Sequence, residues 1–363
     1  MILLSRRTLV GAGLVAAGAG AVGYAAWPRM DGYLEAVERQ RRALAADPEL
    51  AEFVRMATLA ANGHNTQPWT FRLDGSGLAI LPDTARRTPV ADPDDHHLFV
   101  SLGCAAENLV IAAAAHGRAA EVAIGDGAAP GIDIALRQAA PAPGALHDAI
   151  PLRQSTRSVY DGAPVSASEL ALLTEAAREA GVSVQVFTES ADRDAILDLV
   201  IAGNEAQMDD PDWVQELLDW LRFSPARALA TGDGLFSACS GNPVLPEWLG
   251  PRLFKAVFSK ASETDKYRDH VRSSAGIAVF VADRPDPAHW IAVGRSFERF
   301  ALQATALGIR TAHLNQPVEV PPIREEFARW LGIPGARPDL VIRFGRAPAL
   351  PMSARRPVAA VLA

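Results

Sequence analysis

Apolar positions along the chain recur with a helical period in some stretches and alternate in others, and the switches between the two mark the elements. "YLEAVERQRRAL" (33–44) spaces its apolar residues as a charged surface helix does. "WTFRLD" (69–74) and "GLAILPD" (77–83) read as two strands joined across Gly75 and Gly77. Farther on, "SASELALLTEAAREAG" (166–181) predicts a helix with Ser166 or Ser168 as N-cap and Gly181 as its stop. "VSVQVF" (182–187) then predicts a strand.

Two segments repeat one pattern. "GCAAENLVIAAAAHG" (103–117) and "GRSFERFALQATALG" (294–308) both begin and end on glycine, with Glu107 and Glu298 at the fifth place. Apolar residues follow at helical spacing, and each segment precedes a strand-like run, "AAEVAI" (119–124) or "RTAHL" (310–314). The repetition predicts a duplicated α+β unit. The Pro/Ala/Gly-rich "AAPAPGAL" (139–146) separates a first half, 28–149, from a second, 150–363. The lead-in to the repeated glycine is 71 residues longer in the second half. The surplus falls at 203–272, a Trp- and acid-rich stretch that reads either as a lid or as a helical thickening of the fold.

Composition changes this picture at two points. A hydrophobic share of 49% is enough for a large core, and a net charge of −7 without a basic run argues against nucleic acid as a partner. Cys104 and Cys239 form neither a disulfide framework nor a metal-ligand spacing, and read as buried small apolar residues. The N-terminal 1–27 pairs Arg6 and Arg7 ahead of an Ala/Gly/Val stretch in an S-R-R-x-φ pattern. It reads as a twin-arginine signal for export to the periplasm or cell envelope, or as a membrane anchor if uncleaved, and is the chain's one expected contact with a membrane.

Candidate chemistry gathers in four places. "ANGHNTQPW" (61–69) holds more polar side chains than a surface turn requires. "RQSTRSVYD" sets Arg153, Ser155 and Arg157 at alternate positions, two guanidiniums flanking a hydroxyl as a phosphate receptor does. "GIRTAH" brings Gly308, Ile309 and Arg310 from a helix end into a strand, where backbone amides can approach a flat ring. The C-terminal "FGRAPALPMSARRPV" adds Arg346, Arg355 and Arg356, and the apolar run after it argues for a docked tail. His96 and His97 are adjacent, a poor spacing for two ligands on one helix face, so no metal is expected. No G-x-G-x-x-G follows a strand, so a resident dinucleotide fold is not supported.

In this order the motifs resemble the nitroreductase superfamily of FMN proteins. "GHNTQPW", "HLNQPVEV" and "RFGRAPALPMSARRPV" resemble its Acg-like branch, in which two nitroreductase-type halves are fused. The resemblance covers about residues 30–360 and implies an α+β nitroreductase-like fold folded as an intramolecular pseudo-dimer, with one FMN between the halves and a monomer sufficient for the site. It implies that Arg153, Ser155 and Arg157, with Arg355 and Arg356, hold the FMN phosphate. Asn62, Gly63, Asn65 and Gln67 are then expected at the flavin ring or ribityl chain, with Gly308, Ile309 and Arg310 nearby. Asn62 stands where many relatives have serine. Two functions follow from the resemblance: an oxidoreductase passing electrons from NAD(P)H or another donor to a nitroaromatic, quinone or similar small aromatic acceptor, or a flavin-sequestering protein with a lid and little turnover.

Overall fold

The computed structural model describes residues 29–75 and 77–363; the twin-arginine stretch lies outside the described residues. Helices α1 (Asp31–Gln40) and α2 (Leu50–Thr58) lead into a first unit of β1 (Trp69–Asp74), β2 (Gly77–Pro82), α3 (His96–Ala115), β3 (Arg118–Ile124) and β4 (Ile132–Gln138). Its antiparallel sheet has the order β1-β2-β4-β3, with Phe71 opposite Ile80. Helices α4 (Ala145–Ala149) and α5 (Ala167–Ala176) connect to the second unit at β5 (Val182–Phe187). A long excursion follows: α6 (Ser190–Asp209), α7 (Pro211–Trp220), β6 (Leu221–Arg222), α8 (Pro225–Thr231), β7 (Leu235–Phe236), α9 (Gly250–Val257) and α10 (Lys260–Arg272). The unit closes with β8 (Gly276–Ala282), α11 (Pro287–Ala306), β9 (Arg310–His313), α12 (Gln316–Glu319), α13 (Pro321–Trp330) and β10 (Pro338–Gly345).

The second sheet has the order β5-β8-β10-β9, again antiparallel. Strand for strand this repeats the first, and in each unit one twenty-residue helix joins the second strand to the third. The duplicated α+β unit read from the sequence is therefore a duplicated topology. The repeated glycines do not head their helices, as the sequence pattern suggested. Gly103 and Gly294 lie mid-helix, where α3 crosses α11. A Cβ on Gly103 would stand 2.0 Å from the Ile291 carbonyl oxygen, and one on Gly294 would stand 2.0 Å from that of Val100. Each glycine thus meets the carbonyl three residues before the other, a two-fold relation written in the backbone. Glycine is needed here because two helix backbones occupy the space of a side chain.

Sheet faces explain the apolar runs. In β3 and β4 burial alternates, so one face is wet. β8 and β10 are buried throughout. Ala278, Phe280, Ile342 and Phe344 point into the core shared with α3 and α11, while Ile277, Val279 and Val341 point to a second core with Ile196, Val200 and Val271 of α6 and α10. Part of the excursion is thus a structural layer that covers the outer face of the second sheet. Ser166 caps α5 in a reciprocal capping box with Glu169. That helix ends at Ala176, and Gly181 (φ 75°) serves instead in the turn into β5. After β10 the tail returns to the first unit, where the Phe71 amide donates to the Val361 carbonyl at 2.7 Å and that of Ala363 to Phe71 at 2.9 Å.

Candidate functional site

Between the two units and the excursion lies a cavity of about 740 Å³. Its floor comes from the 61–64 loop, Val100, Ser101 and Cys104 of α3, and Phe297 of α11; the excursion roofs it with apolar side chains such as Trp213, Phe223 and Phe254. The end of β9 and the residues that follow it, Ala312 to Gln316, form another wall. Size and lining suit a flat organic ligand.

The loop at 62–67 explains most of its own polarity. His64, Asn65 and Gln67 all have positive φ (47°, 54° and 54°), a conformation that costs of order 1–3 kcal/mol per non-glycine residue and persists only where neighbours hold it. The neighbours are named by the hydrogen bonds. Asn62 Oδ1 accepts from the Gln67 amide at 2.9 Å, closing the loop on itself. Asn65 Nδ2 donates to the carbonyls of Gly234 and Ala354, and Gln67 Nε2 donates to that of Gly232 at 2.8 Å. Asn65 and Gln67 are therefore buried fasteners, while Asn62, Gly63 and His64 face the cavity.

The expected phosphate grip is divided in the same way. Arg157 lines the cavity and, among the described residues, has no carboxylate partner; burial depresses its pKa. Arg153 does not line it. Its Nε lies 3.0 Å from Glu298 Oε1, both nearly inaccessible, and its Nη2 donates to the Leu59 carbonyl at 2.8 Å. Glu298 also accepts from the Ala61 amide and, with the Asn108 amide oriented to suit its neighbours, from Asn108 at 3.1 Å. Ser155 is used through its backbone, bridging to Thr311 at the edge of β9. Arg355 is buried and caps the C-terminus of α2, donating to Thr58 (2.7 Å), Leu59 and Ala60 carbonyls and to Asn65 Oδ1. Arg356 points toward Asp83 and the Ala360 carbonyl. Gly308 (φ 70°) ends α11, Ile309 is core and Arg310 donates to the Ala347 carbonyl, so none of the three forms cavity wall. Guanidiniums surrounded by carbonyls are as well satisfied as those facing a phosphate, and sequence spacing does not separate the two.

The cavity holds groups the sequence reading did not assign. Arg343 is almost fully buried, bonds to the carbonyls of His270, Thr156 and Ser158, and lies 4.0 Å from the Tyr160 ring centroid. His64, His270 and His313 are held neutral, chiefly by burial and then by nearby arginines, with pKa values lowered to about 4, 3 and 3. Elsewhere in the lining, burial raises Asp92 and Glu319 to about 7. Asp92 caps α3 by accepting from the His97 and Leu98 amides, and Gln207 donates to Glu319 at 2.6 Å. His97 Nε2 meets the Asn315 amide nitrogen at 3.2 Å, and its Nδ1 faces Asp92. One signal was available for part of this set: "HNTQP" (64–68) and "HLNQP" (313–317) share H-x-x-Q-P, and both bring a histidine to the cavity. Cys104 and Cys239 are buried free thiols, and Cys104 Sγ donates to the Gly294 carbonyl.

No family model matches the chain. Two curated proteins, from two strains of Mycobacterium tuberculosis, are each 26% identical over 328 residues, covering 86% of this chain and 91% of the relative. Each is named "Putative NAD(P)H nitroreductase". The similarity supports a place in the nitroreductase superfamily. Among solved structures, a Bacteroides fragilis nitroreductase with bound FMN aligns at TM-score 0.36 and 14% identity, over 57% of this chain and 90% of that one. The FMN-dependent nitroreductase NfnB of Mycobacterium smegmatis, in complex with NADPH, aligns at 0.36 and 16%, over 56% and 87%.

Proposed function

We propose that this nitroreductase-like chain is an FMN-binding oxidoreductase that holds one flavin in the cavity between its two units and passes electrons from a nicotinamide donor to a nitroaromatic, quinone or similar acceptor. The observation that carries this reading is Arg157: a guanidinium on the wall of a ligand-sized cavity without, among the described residues, an acid to neutralise it. A phosphate monoester is the counter-ion that such a side chain accepts in a charge-assisted, forked geometry. The neutral His64, the side chain of Asn62 and the backbone of Gly63 would contact the polar edge of the ring system. Phe297 and the apolar roof would exclude water from it. When bound, FMN supplies the hydride and electron transfer; the chain contributes binding, orientation and exclusion of solvent. The middle of the excursion, α7 to α9, serves as the lid in this reading, and one chain completes the site.

Two measurements test it. The purified protein is expected to carry one FMN per chain, bleached by NADH or NADPH without oxygen; a flavin reduced by dithionite and inert to both nicotinamides would point to flavin storage instead. Replacing Arg157 with alanine removes one charge-assisted contact of about 1.5–3 kcal/mol, a loss of roughly 10- to 100-fold in FMN affinity. Unchanged affinity in that variant overturns the phosphate assignment.

A further inference from the structure

We infer that Asp92, His96, His97 and Glu319 form a divalent metal site in the cavity wall, of the class that takes zinc or another borderline first-row ion on two imidazoles and two carboxylates. Adjacent histidines on a regular helix face diverge, which is why the sequence argued against a metal. Here they occupy the first turn of α3, and the 92–95 loop brings a carboxylate back over them. One oxygen of Asp92 and one ring nitrogen of each histidine lie within 4.8 Å of one another. His97 Nδ1 is 3.7 Å from Asp92 Oδ1 and 4.0 Å from Glu319 Oε1. Tetrahedral ligands at 2.0–2.2 Å from a zinc ion stand roughly 3.3–3.6 Å apart, so closure asks for side-chain movements of up to about 1.4 Å.

The second observation is His96. It is fully buried, its Nε2 is bound to Asp339 Oδ1 at 3.0 Å, and its Nδ1 has no partner. A buried ring nitrogen without a partner forfeits its hydration with no return, unless a cation takes the lone pair. Asp339 is itself fixed, with Oδ2 accepting from the Ala282 amide at 2.6 Å. Carboxylate, imidazole and lone pair in that sequence are the arrangement that orients a metal-bound histidine. His97 differs: its Nε2 faces the Asn315 side-chain nitrogen, whose Oδ1 accepts from the Val341 amide, so a metal on His97 Nδ1 would move the ring proton to Nε2 and require the Asn315 side chain to turn its oxygen toward the ring. Asp92, His97 and Glu319 line the cavity, so an ion here has an open side on which water or an oxygen of a cavity ligand can bind.

Zinc alone is the probe, applied by equilibrium dialysis to untagged, chelator-treated full-length protein and followed by metal analysis. One zinc per chain is expected, with flavin bound or removed, which separates this result from the fate of the FMN reading. His97→Gln, which faces the cavity, is expected to abolish binding, and Asp339→Asn to weaken it about 10- to 100-fold. His289→Gln, at a separate His–Asp pair, is expected to keep the full equivalent. X-ray absorption of the zinc-loaded wild type should show histidine nitrogens in its coordination sphere, a readout independent of how any variant folds. Substoichiometric zinc, equal binding by His97→Gln, or a sphere without histidine would overturn the assignment and leave a hydrogen-bonded cluster only.

Discussion

At the scale of single residues, the two arginines of R-x-S-x-R separate into different jobs. Arg153 neutralises a glutamate inside the core, and removing one member of such a buried pair costs about 3–5 kcal/mol because the other is left uncompensated. Arg153→Ala is therefore expected to lower unfolding stability by that amount in urea, with or without added FMN, whereas Arg157→Ala should lose flavin with little loss of stability. A stable Arg153→Ala protein would refute the division. His313 gives a pH test. Its folded pKa is about 3 against 6.5 unfolded, so between those values the unfolded chain binds a proton that the folded chain refuses. Stability held above pH 6.5 is lost as pH falls through that window. Relative to His313→Gln, which lacks the titration, the wild type is expected to lose melting temperature steadily from pH 6.5 toward 4. A difference that stays constant with pH would contradict the assignment of a neutral, buried His313.

At the scale of elements, the crossing of α3 and α11 is where sequence and structure agree in substance and differ in reason. The matched glycines, glutamates and following strands were legible as a repeat, because duplicated helices keep their packing contacts. That the glycines mark a backbone crossing was not legible, since a glycine at a helix start and one at a helix crossing look alike in a string. The glutamates are similarly ambiguous: Glu107 reaches across to Arg295 and Arg299 at 2.8 and 2.9 Å, while Glu298 turns to Arg153. Strands such as 69–74 and 182–187 were legible because period-two patterning and flanking turns fix them. Gly103→Ala and Gly294→Ala are each expected to cost about 3 kcal/mol or more, since the clash is with backbone on both sides and no side chain can yield. Gly32→Ala, in α1 with open space at its Cβ, is the control and should be neutral or stabilising by about 0.5–1 kcal/mol. Equal effects at all three positions would dismiss the crossing as the cause.

At the scale of the molecule, the C-terminal tail couples the two units, and the site depends on that coupling. Residues 354–363 supply Arg355 to the end of α2 and to Asn65, the Arg356 amide to Gln67 Oε1, and an added strand edge beside Phe71. Asn65 and Gln67 are two of the three residues with positive φ in the loop that places Asn62 and His64 at the cavity. The strained loop is thus held by a segment that lies nearly three hundred residues away in sequence, which is why its polar density read as ligand-binding rather than as anchorage. Deleting 354–363 removes the anchors from the tail and leaves those to the Gly232 and Gly234 carbonyls, and the loop is expected to relax toward ordinary backbone angles, carrying Asn62 and His64 off the cavity wall. Hydrogen exchange should then show amides 62–69 losing protection while β8 and β10, whose pairing does not involve the tail, keep theirs. FMN affinity should fall in the same variant even though Arg157 is untouched. Exchange at 62–69 identical to the full chain would mean that the loop stands without the tail, and that the cavity wall is a property of the first unit alone.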